Sequence, residues 1–241
     1  MRIAGLIHGT RANGPGLRTA VWLQGCQGMG TGGQGHCAGC QNPLSHDPAA
    51  GTEVDPDELA DRIVREAPAG TQGITVSGGE PFQQEMPLYQ FLCMLRSLRP
   101  DWTIGVFTGY SLSELREGAF PAQPYGQAMR ATLWNYSISE ALDWIVAGRY
   151  DRTRPIPDYV TTDASDPGIA NYTKTYRPDL RLCSTANQQL HLLSRRVSFE
   201  DFDAELTLEF SIAEDGLTSI TGFQPKSTCA HSTSVATPDA G

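Results

Sequence analysis

The feature that most constrains this chain is a glycine-rich stretch that carries three cysteines. Cys26, Cys37 and Cys40 lie close together in sequence, and the next cysteine along the chain is Cys93. Three thiolates can hold three irons of a 4Fe-4S cube and leave the fourth iron open to another ligand. Glycines allow the backbone to wrap such a core and to direct N–H groups at its sulfurs. The flanking glycines are Gly25, Gly28, Gly30, Gly32, Gly33, Gly35 and Gly39.

The same stretch also fits a zinc site. Four side chains of suitable type are present, namely Cys26, His36, Cys37 and Cys40. A C-x-x-C pair is as natural for zinc as for iron, and tetrahedral zinc needs four ligands. These residues alone leave both metals open.

Composition and charge narrow the classes of function. The 241 residues include 27 acidic and 18 basic side chains, for a formal charge of −9. Such a charge gives no general attraction to phosphate backbones or anionic lipid, so neither nucleic acid nor a membrane is an expected partner. The sequence has no apolar run of membrane-spanning length, and a strand-like stretch follows Met1 in place of a signal sequence. We therefore expect a cytoplasmic protein.

The length fits one large domain with insertions. We expect this domain at residues 1–225, with insertions near 118–136 and 149–179 where hydrophobic periodicity is lost. Residues 226–241 are polar and small, which predicts a flexible tail.

The remaining cysteines are scattered along the chain. Because no secretion signal precedes them, we interpret Cys93, Cys183 and Cys229 as incidental thiols and expect no disulfides. Cys93 is predicted to pack in the core, and so is Cys183. The alternative for Cys183 is a position near the active site as a hydrogen donor or an auxiliary ligand.

Strand and helix patterns alternate along the chain. Branched residues predict strands at 2–7, 19–24, 73–77, 103–107 and 142–148. Asp55 and Ser111 have the chemistry of helix N-caps, and a helix between them is predicted to bury Leu88, Phe91, Leu92 and Leu95. Two alternating runs, 206–210 and 217–220, predict a C-terminal β-hairpin. The alternation predicts an α/β fold with a parallel sheet.

A second motif follows the predicted strand at 73–77. The sequence Ser77-Gly78-Gly79-Glu80-Pro81 exposes backbone groups at two glycines beside a carboxylate that can receive a cation such as an amino group. Alone, a Gly-Gly turn at a strand end is a weak signal. Together with a three-cysteine loop it becomes more specific.

These motifs resemble the radical S-adenosylmethionine superfamily, and within it the activating enzymes of glycyl-radical enzymes, most closely the activase of anaerobic ribonucleotide reductase. The resemblance covers about the first 115 residues and two later patches. The matching segments are 13–18, 22–26, 37–43, 45–47, 74–84, 107–110, 143–148 and 184–188. Several ordered matches are far more specific than any one of them, so the resemblance favours iron over zinc and makes His36 a loop residue.

The resemblance implies a fold and a set of site residues. The fold is an α/β partial barrel, open at the side, with loop insertions and the C-terminal hairpin. The implied cluster ligands are Cys26, Cys37 and Cys40. The implied S-adenosylmethionine-binding residues are Asn42, Ser77, Gly78, Gly79, Glu80, Thr108, Arg149, Ser184 and Asn187.

The resemblance also implies a reaction and partners. The open iron chelates the amino and carboxylate groups of S-adenosylmethionine, and Gly78, Gly79 and Glu80 orient the methionine amine. An electron from the reduced cluster then gives methionine and a 5′-deoxyadenosyl radical, which abstracts hydrogen from a glycine of a partner enzyme. A flavodoxin or ferredoxin is the implied electron donor.

The sequence departs from the family pattern at three points. Ten residues separate Cys26 from Cys37 where the family has three, although a glycine-rich loop can close over this length at little entropic cost. Gln41 stands where the family carries an aromatic residue or histidine, and Ala147 stands at a position that is often acidic. Arg149 is a candidate partner for the methionine carboxylate, by position and charge.

Two alternatives remain open at this stage. The same radical chemistry can act directly on a small molecule or peptide, with the two insertions as a lid. The other alternative is a non-catalytic interaction module in which the cysteines hold a structural zinc ion.

Overall fold

A computed structural model describes residues 1–28, 35–119, 126–155 and 182–202 in full. It also describes the backbone of four short strands, at residues 161–162, 172–173, 208–212 and 218–222. The predicted tail at 226–241, Cys229 and most of the predicted insertion at 149–179 lie outside the described residues.

The described chain alternates strands with helices. The strands are β1 (Arg2–Thr10), β2 (Arg18–Leu23), β3 (Thr52–Glu53), β4 (Gly73–Gly78), β5 (Thr103–Thr108), β6 (Trp144–Ala147), β7 (Thr161–Thr162), β8 (Tyr172–Thr173), β9 (Gln189–Leu192), β10 (Leu208–Ile212) and β11 (Thr218–Gly222). The α-helices are α1 (Pro56–Glu66), α2 (Glu85–Leu98), α3 (Leu112–Glu117), α4 (Gln127–Leu133) and α5 (Ser139–Ala141). Short 3-10 turns occupy Pro43–Ser45, Pro81–Gln84 and Phe199–Phe202, and a π-helix occupies Trp134–Ile138.

Seven strands form one sheet in the order β3-β1-β2-β4-β5-β6-β9. The central strands β2, β4, β5 and β6 are parallel, whereas β1, β3 and β9 pair antiparallel at the two sides. The sheet described by these strands is not closed. The predicted parallel α/β sheet is thus confirmed, and its parallel centre brings four carboxyl strand ends to one edge.

The predicted helix N-caps, Asp55 and Ser111, are confirmed. The side chain of Asp55 accepts hydrogen bonds from the N–H groups of Asp57 and Glu58 at the start of α1. Ser111 and Glu114 form a complete capping box at the start of α3. The four residues predicted to be buried on α2 are all buried. Caps of this kind satisfy N–H groups that the first helical turn leaves unpaired.

Three tryptophans anchor the interior. Trp102 and Trp134 lie in a large apolar cluster between the helices and one face of the sheet. Trp144 lies in a second cluster with Leu190 and Phe202, and it contacts the Phe202 ring edge to face. Burial of such large apolar surface is the main source of the fold's stability.

Two sequence predictions need correction, and one strand was missed. The stretch 118–136 is not simply a loop, because Gly118 ends α3 in a left-handed conformation and α4 then begins at Gln127. No residue of α4 is fully buried, so this helix lacks the apolar periodicity that would reveal it in the sequence. Strand β9 was not predicted, because a strand of four residues is too short to show a clear alternation of apolar and polar residues. Cys93 is exposed on α2 and does not pack in the core.

The predictions of a C-terminal hairpin and of a buried Cys183 are confirmed. Strands β10 and β11 pair antiparallel as the predicted C-terminal hairpin. Cys183 is buried in the second apolar cluster. In the described part of the chain, no helix is both long and apolar enough to span a bilayer.

Candidate functional site

The candidate site lies at the carboxyl edge of the parallel strands. Strand β2 ends at Leu23, which lies opposite Gly78 at the end of β4, and Thr108 at the end of β5 lies opposite Ala147 at the end of β6. These four strand ends and the segments that follow them carry all three predicted cluster ligands and the other candidate residues. Parallel topology therefore gathers motifs that are far apart in sequence.

The three candidate cysteines are half-buried, and backbone N–H groups reach all of their sulfurs. The N–H of Gly28 donates to Cys26. The N–H of Tyr150 donates to Cys37, and the N–H of Asn42 donates to Cys40 Sγ at 3.4 Å. N–H donors of this kind stabilise thiolates that bind an iron–sulfur cluster.

The electrostatics of the sulfurs also suit a cationic metal core. Burial, together with the negative charges of Glu80, Cys37 and Cys40, raises the pKa of Cys26 to about 11 against the lowering effect of the Gly28 N–H. Burial likewise raises the pKa of Cys37, with an added contribution from Cys40. Thiolates at this position therefore need compensating positive charge, which bound iron provides. The donor set fits an iron–sulfur cluster.

A mononuclear zinc site has no support in the described residues. Within them, no group of three or more His, Cys, Asp or Glu side chains could hold one metal ion. Instead, His36 Nε2 lies 2.8 Å from the carbonyl oxygen of Cys26, and its ring stacks on His46 at 3.7 Å. Zinc requires its ligands to converge on one point, whereas each cysteine of a cube binds a different iron. The geometry thus agrees with His36 as a loop residue.

The long segment between Cys26 and Cys37 is closed at its base. A Cβ atom placed on Gly28 would lie 2.6 Å from the carbonyl oxygen of Gly35, so the two glycine backbones are in direct contact. Both have positive φ. Because Gly28 and Gly35 are in contact, the ten residues between Cys26 and Cys37 do not force the two cysteines apart.

The Gly78-Gly79 turn packs directly against the strand that leads to Cys26. A Cβ atom on Gly78 would lie 2.4 Å from the backbone of Leu23, and one on Gly79 would lie 2.1 Å from the carbonyl oxygen of Gly25. The N–H of Gly79 donates to Leu23 O at 2.8 Å, and the N–H of Glu80 donates to Gly25 O at 2.9 Å. Two glycines are needed here because two backbones touch.

We expect Gly79→Ala to destabilise the protein by about 1–3 kcal/mol, as overpacking does, and to reduce cluster content by displacing Cys26. The measurements are thermal unfolding and iron content after anaerobic reconstitution. Gly5→Ala is the matched control, because a Cβ atom at Gly5 meets nothing within 4 Å. Wild-type cluster content in Gly79→Ala would show that this contact does not position Cys26.

Glu80 is buried and bonded within the protein. Its carboxylate accepts hydrogen bonds from Phe82 N at 3.0 Å, Thr108 Oγ1 at 2.8 Å and Gly109 N at 2.8 Å. Burial raises its pKa to about 7, against the lowering effect of these donors and of Arg149. Glu80 therefore ties the end of β4 to the end of β5. The contacts of Glu80 are those of a residue that holds the turn in place. Ser77, which lies just before the turn, is half-buried.

Arg149 lies just beyond β6 and is held by Glu114. Its Nη1 and Nη2 atoms donate to the two carboxylate oxygens of Glu114 at 2.9 Å and 2.7 Å. Arg149 also acts electrostatically on Cys37, Tyr110 and Glu80, where its charge lowers the pKa. The sequence placed Arg149 at the site but gave no sign of its partner.

The segment 184–188, which is the last of the family-like segments, contacts the residues that follow β6. Asn187 Nδ2 donates to the carbonyl oxygen of Arg149, while its buried Oδ1 has no hydrogen-bond partner among the described residues. Ser184 Oγ lies 3.5 Å from the side-chain oxygen of Gln41, and Asn42 O accepts hydrogen bonds from Ser45. A buried acceptor left unbonded next to Arg149 fits a site for a polar ligand such as S-adenosylmethionine.

Sequence reasoning missed the glutamines that brace the cluster loop. Gln24 Nε2 donates to the carbonyl oxygens of Leu44 and Asp47. Gln84 Nε2 donates to Gln24 O, and Gln83 Oε1 accepts from Gln27 N at 2.6 Å. The signal that could have found them is the Gln-Gln pair shortly after Glu80, but glutamine has too many ordinary surface roles to be specific.

Known proteins are similar to parts of this chain. Residues 12–163 match the family model described as a 4Fe-4S single cluster domain. The chain is 24% identical over 166 residues to the anaerobic ribonucleoside-triphosphate reductase-activating protein of Pasteurella multocida, covering 67% of this chain and 92% of that protein. It is 31% identical over 118 residues to the protein of the same name from Haemophilus influenzae, covering 47% and 71%. It is 35% identical over 89 residues to the pyruvate formate-lyase-activating enzyme of Clostridium pasteurianum, covering 34% of each.

Proposed function

The chain belongs to the family of 4Fe-4S single cluster domains and is an enzyme of the radical S-adenosylmethionine activating type, and we propose that it abstracts hydrogen from a glycine of a glycyl-radical partner enzyme. A 4Fe-4S cluster and S-adenosylmethionine are its cofactors. When bound, they supply an electron and a 5′-deoxyadenosyl radical. The observation that carries the proposal is that the half-buried cysteine loop packs against the double-glycine turn at one sheet edge.

In this proposal the cysteine loop holds the cluster. Cys26, Cys37 and Cys40 would hold the cluster through their thiolates, and an iron without a protein ligand would be left to bind S-adenosylmethionine. The N–H groups that reach the three sulfurs stabilise the thiolates. The backbone of Gly78 and Gly79 orients the methionine amine, and Glu80 keeps that turn in place through its bonds to β5.

The other candidate residues form the rest of the cofactor site in this proposal. Arg149 binds the methionine carboxylate by charge, and the unbonded Oδ1 of Asn187 accepts a hydrogen bond from the cofactor. Asn42, Ser77, Thr108 and Ser184 line the site around them. Fixing the cofactor in one orientation and excluding water are the protein's contribution to selective hydrogen abstraction.

The open sheet supports a partial β/α barrel whose uncovered side admits a macromolecular substrate. We propose that this barrel is one domain, residues 1–225, and that a flavodoxin or ferredoxin supplies the electron. The named relatives that activate anaerobic ribonucleoside-triphosphate reductase point to that reductase as the kind of partner to test first.

The proposal is tested by electron paramagnetic resonance. The reconstituted protein is mixed anaerobically with dithionite, S-adenosylmethionine and the anaerobic ribonucleoside-triphosphate reductase of the same organism. A glycyl-radical signal on the reductase is expected, and a sample without S-adenosylmethionine is the control. Formation of 5′-deoxyadenosine with no glycyl radical would contradict the activase function.

That outcome would favour the second candidate, direct action on a small molecule or peptide. The features in its favour are the ten residues between Cys26 and Cys37, which depart from activase spacing, and the proposed insertion at 118–136, within which helix α4 lies. Such additions are typical of enzymes that enclose their substrate.

A further inference from the structure

The ion pair between Arg149 and Glu114 joins two segments that flank the proposed cofactor site. The N–H of Gly148 donates to the carbonyl oxygens of Thr108 and Tyr110, at 3.2 Å and 2.9 Å, which fixes the start of the Arg149 segment between the ends of β5 and β6. The next residue, Tyr150, donates its N–H to Cys37. Arg149 therefore lies between the strand ends and the cluster loop.

Glu114 is itself held rigidly. Its Oε2 atom accepts hydrogen bonds from Ser111 N at 2.8 Å and from Ser111 Oγ at 2.9 Å, within the capping box of α3. Both of its oxygens also accept from Arg149. A bidentate pair on an anchored carboxylate fixes the plane of the guanidinium as well as its position.

This arrangement leaves part of Arg149 available. A guanidinium has five N–H donors, and the pair with Glu114 uses one on each terminal nitrogen. The side chain of Arg149 is 32% exposed, so its remaining donors are not all enclosed by protein. The guanidinium can hold Glu114 on one edge and a second carboxylate on another.

We propose that Glu114 is a positioning residue for S-adenosylmethionine, holding the Arg149 guanidinium in the orientation that binds the methionine carboxylate. The inference rests on the proposed function, which assigns that role to Arg149. The inference adds Glu114 of α3 to the cofactor site, although the sequence indicates only that Glu114 belongs to a helix cap.

The test compares two ligands on the cluster-loaded protein. Glu114→Gln keeps a side chain that can serve in the capping box but removes the charge that fixes Arg149. In calorimetry, we expect Glu114→Gln to bind S-adenosylmethionine about fivefold more weakly than the wild type, which is the effect expected from the loss of one partly exposed ion pair. Decarboxylated S-adenosylmethionine, which lacks only the carboxylate, should bind the variant and the wild type equally. Glu117→Gln makes the same charge change at an exposed position of the same helix and should alter neither ligand.

A double-mutant cycle shows whether Glu114 acts through Arg149. In an Arg149→Met background, the effect of Glu114→Gln on S-adenosylmethionine binding should disappear. Equal weakening of both ligands by Glu114→Gln, or no weakening of either, would overturn the inference. A wild-type protein that carries its cluster but binds no S-adenosylmethionine would instead overturn the proposed function itself.

Discussion

Replacement of Cys26, Cys37 or Cys40 by alanine is expected to abolish assembly of the 4Fe-4S cluster. Each thiolate is assigned to its own iron, and the other described cysteines are Cys93, which is exposed on α2, and Cys183, which is buried in the second apolar cluster. Two thiolates cannot complete a site that already leaves one iron without a protein ligand. The measurement is the content of iron and acid-labile sulfide after anaerobic reconstitution, together with the visible absorbance of the cluster.

The matched control is Cys93→Ala, because this thiol is exposed on α2. We expect full cluster content in that variant, and also in Cys229→Ala. A Cys26→Ala protein that reconstitutes like the wild type would refute the ligand assignment. Reduced iron in all variants, including Cys93→Ala, would indicate a general loss of folding and not the loss of a ligand.

Asp143→Asn is expected to lower the free energy of unfolding by about 3–5 kcal/mol, the cost of breaking a buried charge pair. Asp143 is fully buried just before β6. Its carboxylate accepts hydrogen bonds from Arg96 at 2.7 Å, Ile104 N at 2.7 Å and Ser194 Oγ at 2.5 Å. An amide has one acceptor oxygen and places an N–H₂ group against one of these donors. Urea unfolding monitored by circular dichroism measures the change.

Asp101→Asn provides the comparison for this prediction. Asp101 pairs with Arg99 at the same 2.7 Å, but its side chain is 63% exposed. Exposed pairs contribute little, so we expect a loss of less than about 1 kcal/mol. Equal losses in the two variants would contradict the view that Asp143 joins β5, β6 and the segment after β9 as a buried centre.

Local patterns made most of the central fold predictable. Strands β2, β4 and β5 are runs of branched residues, and Asp55 and Ser111 carry cap chemistry that depends only on near neighbours. Helix α4 was missed because it buries no residue fully and so shows no period. The order of the strands was not predictable from local patterns, because it depends on pairing between distant segments.

The sequence indicated candidate site residues where the residue type itself suggests a chemistry. The three cysteines and the double glycine pointed to a function only in combination, because each motif alone left alternatives open. The function of Glu80 as a tie between β4 and β5, and the pairing of Glu114 with Arg149, depend on tertiary contacts across 28 and 35 residues. No sequence spacing marks such contacts. The contact between Gly28 and Gly35 likewise explains the long cysteine spacing only once the backbone is known.

The most direct test of the whole account is anaerobic incubation of the reconstituted protein with dithionite and S-adenosylmethionine, followed by chromatography for 5′-deoxyadenosine. We predict that the product forms with the wild-type protein and is absent when Cys40 is replaced by alanine. A protein that carries a complete 4Fe-4S cluster and binds S-adenosylmethionine, yet yields no 5′-deoxyadenosine, would contradict it.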